Sequence, residues 1–222
     1  MHKEQKTIKF YYFSYIINNK TMTENLYVAA ITGPDIQNGP GVRLTVWVQG
    51  CEHNCPNCQN RHLQHYKADG NLTARQSLEY IKRELTRADG TGEYIYDGVT
   101  FSGGDPLFQT KAALEQLKEL IGQIRAVRPG ISIWIYTGFT FSYLYKENKF
   151  YHDYIKQIMP DVIVDGRFME HYKPSDPNTL PFRGSSNQHI VDVKASYEQG
   201  RLVEIEFNNK KTIKHYETFR LQ

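Results

Sequence analysis

All three cysteines of this 222-residue chain, Cys51, Cys55 and Cys58, lie inside one eight-residue window. An odd number of thiols, so tightly clustered in a chain of this length, makes a poor disulfide framework. Spacers of three and two residues instead let every sulfur turn toward one centre, so the C-x3-C-x2-C pattern points to a metal site. Thiolates that must stay reduced fit poorly with export and place the chain in the cytoplasm. What surrounds the loop is ordinary globular protein, 40% hydrophobic and 23% charged. With Tyr 16, Phe 11 and Trp 2 the chain carries too many aromatics to be mainly disordered. A net charge of +3 is too weak to argue for nucleic acid, and no apolar run approaches the ~20 residues that span a bilayer.

The chain divides into an N-terminal extension over 1–25, a main α/β domain over 26–188 and a β-rich C-terminal extension over 189–222. The first part has Lys3, Lys6 and Lys9 ahead of the run Phe10 to Ile17. That run is short, rich in Tyr and lacks a small-residue cleavage site, so a loose extension is favoured over a signal peptide, with Met22 an alternative start. From Tyr27 the pattern is strand, loop, helix, repeated. Strands are expected at Arg43–Val48, Gly98–Phe101, Ile131–Tyr136 and Asp161–Val164. Helices are expected at Thr73–Arg87, capped by Thr73, and at Thr110–Ala126, whose apolar stripe runs from Ala113 to Ile124. A Tyr-rich helical segment up to Met159 breaks near Asn148. Alternation of this kind implies a mostly parallel sheet with right-handed crossovers. The tail alternates like antiparallel strands at His189–Lys194, Leu202–Phe207 and Lys211–Tyr216, with a turn at Asn208-Asn209.

The cysteines, Gly103-Gly104-Asp105, Thr137-Gly138 and Asp165-Gly166 each fall just after a different strand. The C-terminal ends of parallel strands form the ligand face of α/β folds, so four loops should converge on one site, which favours an enzyme. Two metal readings stay open at this point. A structural zinc needs four closed ligands, for which His53 or His62 would be the fourth. An iron–sulfur cubane held by three cysteines leaves one iron open for a small molecule.

A cysteine motif after the first strand, followed one β/α unit later by Ser102-Gly103-Gly104-Asp105-Pro106, resembles the radical S-adenosylmethionine (SAM) superfamily. Asn38-Gly39-Pro40-Gly41-Val42-Arg43 is similar to the loop before the first strand in activases of glycyl radical enzymes. Together with Cys51 to Asn60, Tyr136 to Phe139, Val164 to Phe168 and Phe182 to Gln188, it resembles the family that activates anaerobic ribonucleoside-triphosphate reductase. The likeness runs from about Tyr27 to Gln188.

The resemblance implies a partial (β/α) barrel, so that residues 26–188 form a radical SAM domain, with a small antiparallel extension behind it. It implies a [4Fe-4S] cluster on Cys51, Cys55 and Cys58, with SAM chelating the fourth iron. Asn57 and Gln59 would meet SAM through backbone, and Gly103, Gly104 and Asp105 would hold its amino-acid end. Thr137 and Asp165 are further candidates, although a strand-end Thr or Asp is commonly a turn or cap residue. No catalytic side chain is implied beyond the cluster ligands. The partners implied are the large subunit of the anaerobic reductase and an external electron donor such as a flavodoxin. Arg43 and Arg183 are either reductase contacts or solvated arginines. Asn57 departs from the aromatic residue that many superfamily members place there, which points toward this subfamily. An activase of a different glycyl radical enzyme is the alternative, weakened because the chain lacks their additional cysteines. A zinc-bound interaction module is the non-enzymatic alternative.

Overall fold

The computed structural model describes residues 24–207. The elements are β1 (Tyr27–Asp35), β2 (Arg43–Val48), β3 (Leu72–Thr73), α1 (Ala74–Leu85), β4 (Gly98–Gly103), α2 (Lys111–Val127), β5 (Ser132–Tyr136), α3 (Lys149–Ile158), β6 (Val162–Asp165), β7 (His189–Asp192) and α4 (Val193–Gln199). The strands form one open sheet in the order β3-β1-β2-β4-β5-β6-β7. Its centre, β2-β4-β5-β6, is parallel. The flanks, β1 on β2, β3 on β1 and β7 on β6, are antiparallel. The fold is therefore α/β with a mostly parallel mixed sheet, as expected, and the sheet does not close on itself.

The helices form where the apolar spacing puts them. Thr73 caps α1 through a reciprocal capping box with Gln76. Thr110 caps α2, which buries Ala113, Leu114, Leu117, Leu120, Ile121 and Ile124 on one face. The expected break at Asn148 has a clear cause: a π-helical turn over Tyr143–Glu147 ends there, and the Asn148 side chain accepts from the N–H groups of Phe150 and Tyr151 to start α3. These faces pack on Leu44, Val46, Val48, Val99, Phe101, Ile133, Ile135 and Ile163 of the sheet to make the main core. Among the described residues no helix is long and apolar enough to cross a membrane.

The tail differs from expectation. His189 opens a strand that stops at Asp192, because the Asp192 carboxylate accepts from Ala195 N–H and caps a short helix, α4. A segment centred on Glu204 then returns antiparallel to Val191, with Ile205 N–H donating to Ile190 O at 2.7 Å. Ile205 and Phe207 cover the sheet face that carries Trp134, Val162, Val164 and Ile190. The Asn208-Asn209 turn, Lys211–Tyr216 and nearly all of 1–25 lie outside the described residues.

Arg43 corrects a second expectation. It is fully buried on that same face, so it is not placed to meet a partner. Its Nε donates to Thr100 Oγ1 at 2.6 Å, and Nη2 donates to the carbonyls of Val99 (2.9 Å) and Ser132 (3.1 Å). Nη1 reaches Pro40 O at 3.4 Å, and the guanidinium lies 5.3 Å from the Trp134 ring centre. Neighbouring β4 makes room at Gly98, where a Cβ would stand 2.3 Å from Nη1. The Asn38–Arg43 segment is thus a plug that pins β2, β4 and β5 together from inside. Removing the fork strands several buried carbonyls and opens a cavity, so Arg43→Ala should cost about 3 kcal/mol or more. Arg43→Lys should recover little, since one ammonium cannot reproduce the fork. Thermal melting checks this, and an unchanged midpoint in Arg43→Ala would refute the role.

Candidate metal centre

The cysteine loop leaves the end of β2 and is tied down at both sides. Gly50 N–H and Cys51 N–H donate to Leu63 O and Gln64 O, each at 2.8 Å. Gln109 Nε2 donates to Gly50 O (3.2 Å) and Asp105 O (2.8 Å), stitching the loop to the β4 end. All three cysteines are free thiols of intermediate burial. The loop turns through left-handed residues at Asn54 (φ 49°) and Asn57 (φ 54°), a conformation that Asn tolerates better than an aromatic residue does. That is a physical reason for Asn at position 57, whose side-chain amide bonds the Glu170 carboxylate.

Gly103 and Gly104 bring the β4 end against this loop. Gly103 sits at φ 105°, and a Cβ on Gly104 would stand 2.3 Å from Gly50 O. Gly104 N–H donates to Val48 O at 2.7 Å, and Asp105 N–H donates to Gly50 O at 2.8 Å. The glycine pair is therefore required by the chain's own backbone contacts, before any ligand is considered.

The two carboxylates expected at the ligand, Asp105 and Asp165, are hydrogen-bonded within the frame of the sheet. Asp105 is buried, and its Oδ1 accepts from the N–H groups of Leu107 (2.8 Å) and Phe108 (3.2 Å). Its Oδ2 accepts from Thr137 Oγ1 (2.9 Å) and Gly138 N–H (2.8 Å). His53 Nε2 stands 2.8 Å from the same oxygen, a close contact that does not meet hydrogen-bond geometry. Asp165 does the same two strands on: Oδ2 accepts from Phe141 N–H (2.6 Å), and Oδ1 receives His189 N–H (3.0 Å) and Nδ1 (2.8 Å). Thr137 Oγ1 in turn accepts from Phe139 N–H at 3.2 Å, so both Thr137 and Asp165 hold turn backbone.

A cavity of about 780 Å³ opens beside the loop, over the ends of β2, β4 and β5. It is lined by Cys58, Gln59, Ser102, Tyr136, Phe168 and Arg183, among others. Cys58, Gln59 and Arg183 are thus brought to it, whereas Cys51, Cys55, Asn57, Gly103, Gly104, Asp105, Thr137 and Asp165 are not among its lining residues. Ser102, Tyr136 and Phe168 were not singled out as site residues, although each is at or just beyond a strand end, where the topology rule would have found them.

In the metal-free chain the surroundings of Cys51 and Cys55 oppose the thiolate form, with a few donors working the other way. Burial pushes the Cys51 thiol well above its usual range, the Asp105 carboxylate adds to that, and the His53 N–H opposes it. Burial and the Cys58 sulfur raise Cys55, opposed by the Arg167 guanidinium and the Phe168 N–H. In the metal-free chain these thiols hold their protons at neutral pH, so metal binding must release them. The backbone donors aimed at Cys51 and Cys55 suit sulfur that carries negative charge. A closed single-ion site is not assembled: among the described residues no three His, Cys, Asp or Glu side chains converge on one ion. His53 is engaged by Asp105 and Arg167, and His62 is exposed. A cubane, which takes one cysteine per iron, fits this donor set better than a four-ligand zinc.

Replacing Asp105 by Asn puts an amide N–H₂ against Thr137, Gly138 and His53, or turns it into the Leu107 and Phe108 donors. Asp105→Asn should lose roughly 3 kcal/mol or more and load less iron per chain. A variant with wild-type melting and wild-type iron content would refute the structural role.

Residues 37–191 match the family model of the 4Fe-4S single cluster domain. The chain is 36% identical over 157 residues to the anaerobic ribonucleoside-triphosphate reductase-activating protein of Salmonella typhimurium, covering 70% of this chain and 92% of the relative. It is 34% identical over 156 residues to that of Escherichia coli strain K12, with the same coverage. The counterpart from Enterobacteria phage T4 is 31% identical over 156 residues, 70% of this chain and 87% of its own length. Similarity of this extent, with the family model spanning the cysteine loop and the other three strand-end loops, means that the chain belongs to the family of anaerobic ribonucleoside-triphosphate reductase-activating proteins and carries its 4Fe-4S single cluster domain.

Proposed function

We propose that this protein activates an anaerobic ribonucleoside-triphosphate reductase as a radical SAM enzyme, using a [4Fe-4S] cluster held by Cys51, Cys55 and Cys58. The observation that carries the reading is the three-thiol loop with Cys58 at the wall of a cavity on the C-terminal ends of parallel strands. When bound, the cluster and SAM supply reductive cleavage of the sulfonium and a 5′-deoxyadenosyl radical that takes hydrogen from one glycine of the reductase.

The chain's own residues bind, orient and exclude water. The cavity volume lies in the range of about 300–1,000 Å³ usual for cofactor pockets. Gln59 and Ser102 give it polar edges, while Trp47, Tyr136, Phe168 and Phe182 give it flat apolar walls suited to a nucleoside. Tyr136 is held by its hydroxyl, which donates to Phe182 O at 2.8 Å. Those walls would leave a radical little but its intended hydrogen donor to meet. None of this requires an acid, base or nucleophile, in keeping with the buried carboxylates being tied up in the frame. The open sheet is what a partial (β/α) barrel presents on its lateral side, which would give a glycine-bearing loop of the reductase its way in. An external electron donor of the flavodoxin type and a cytoplasmic setting belong to the same reading.

The test is to mix the anaerobically reduced protein, SAM and the reductase of the same organism, then record the electron paramagnetic resonance spectrum. A glycyl doublet on the reductase is expected, and Cys55→Ala should lose both cluster and doublet. SAM cleavage that leaves the reductase without a radical, but places one on another glycyl radical enzyme, would transfer the assignment to that enzyme.

A further inference from the structure

Phe182 is a wall of the cavity held in a conformation that needs support from outside. Its backbone sits at φ 60°, in the left-handed region that a bulky residue keeps only where its neighbours fix it. The Phe182 carbonyl accepts from the Tyr136 hydroxyl at 2.8 Å. The ring stands edge-on to Trp134, with 5.7 Å between centres, and edge-on to Phe207, with 5.1 Å. Phe207 also lies 6.0 Å from the Trp134 ring, so the three aromatics close a triangle. Trp134 and Tyr136 belong to β5, whereas Phe207 arrives from beyond residue 191, where the matched family domain ends. The segment that carries Phe207 is anchored along β7. Asp192 N–H donates to Val203 O at 2.9 Å, and Ile205 N–H donates to Ile190 O at 2.7 Å. Val203 N–H donates to Ser196 Oγ at 2.9 Å, which ties the segment to α4. Burial then alternates as on a strand: Glu204 and Glu206 are exposed, while Ile205 and Phe207 turn onto the sheet face.

We infer that segment 202–207 is a strap that sets the Phe182 wall for the nucleoside part of SAM, with Phe207 as its positioning residue. The inference rests on the SAM reading above. Phe207 is not among the residues that line the cavity, so it acts on a ligand through Phe182. Without the Phe207 ring, Phe182 keeps its left-handed backbone on the β5 contacts alone, and its ring has vacated space to turn into. Arg183 and Gly184 follow Phe182 in the chain and line the same cavity, so a shift of Phe182 reshapes more of the pocket than one ring. An edge-on aromatic pair adds to affinity only what it saves in holding the wall ready, which makes the effect one of preorganisation. The wall meets the nucleoside before and during bond cleavage alike. Its loss therefore weakens binding and leaves the rate at saturation in place.

The experiment compares the anaerobically reconstituted full chain with its Phe207→Ala and Phe207→Leu variants at equal iron and sulfide content. Calorimetric titration with SAM gives the affinity, and dithionite-driven SAM cleavage without the reductase gives KM and kcat. Phe207→Ala should bind SAM about three- to tenfold more weakly, with KM raised by the same factor and kcat near the wild type. Phe207→Leu, which keeps apolar bulk but no ring edge, should fall between the two. Wild-type affinity in Phe207→Ala would overturn the inference. A fall in kcat at constant KM would overturn it too, because that pattern marks a misfolded fraction rather than a reshaped pocket. If Phe207→Ala fails to fold or to take up the cluster, Phe207→Leu decides. Weakened binding there supports the strap's role at the pocket, and wild-type affinity, or failure of both variants to fold, overturns it. A wild-type chain that carries a cluster but binds no SAM would instead remove the SAM reading itself, so the two failures are told apart.

Discussion

The site depends on one buried carboxylate. Asp105 is 1% exposed, and a carboxylate at that depth is tolerated only when donors surround it. The donors come from its own loop after β4 and from Thr137 and Gly138 after β5, and His53 of the cysteine loop after β2 makes a third close contact at 2.8 Å. Satisfying that one group therefore draws three strand ends together, and the spacing of the loops follows from it. Gly103 and Gly104 permit the approach, because any Cβ there would strike backbone of β2 or the residue after Gln49. Asp165 repeats the device between β6, β7 and the loop after β5. Two buried anions thus hold the strand ends of this face together.

Much of this was legible in the sequence where a single periodicity or cap decides the outcome. The stripe from Ala113 to Ile124 and the caps Thr73, Thr110 and Asn148 act locally, so their helices stand within a few residues of expectation. The parallel centre of the sheet followed from β/α alternation. What stayed hidden depends on partners distant in the chain. The burial of Arg43 needs Gly98, Thr100, Ser132 and Trp134, and no local pattern around residue 43 announces them. Asp192 shows the limit even of local reading: one capping carboxylate converts an alternating segment into the start of α4.

The same contrast divides the site. The three cysteines announce themselves by spacing and Gln59 enters through the family resemblance, and Cys58 and Gln59 do line the cavity. Asp105, Thr137 and Asp165 have the residue types of ligand contacts, yet their side chains are committed to the frame, because strand-end carboxylates and hydroxyls also meet the nearest unpaired N–H groups. His53 was considered as a metal ligand, and its position between Asp105 and Arg167 gives it other work. Ser102, Tyr136 and Phe168 reach the cavity through their places at or just beyond strand ends, although their residue types alone do not mark them. A donor set of three thiols, backed by N–H groups and without an assembled fourth ligand, is what links fold to the proposed chemistry.

That link rests on one iron being different from the rest. The most direct measurement is Mössbauer spectroscopy of the anaerobically reconstituted, iron-57-labelled protein, before and after adding SAM. With three cysteine ligands for four irons, the account predicts one iron site distinct from the other three, and a change in that site alone when SAM binds. A zinc-loaded chain without cluster iron, or four equivalent irons indifferent to SAM, would contradict it.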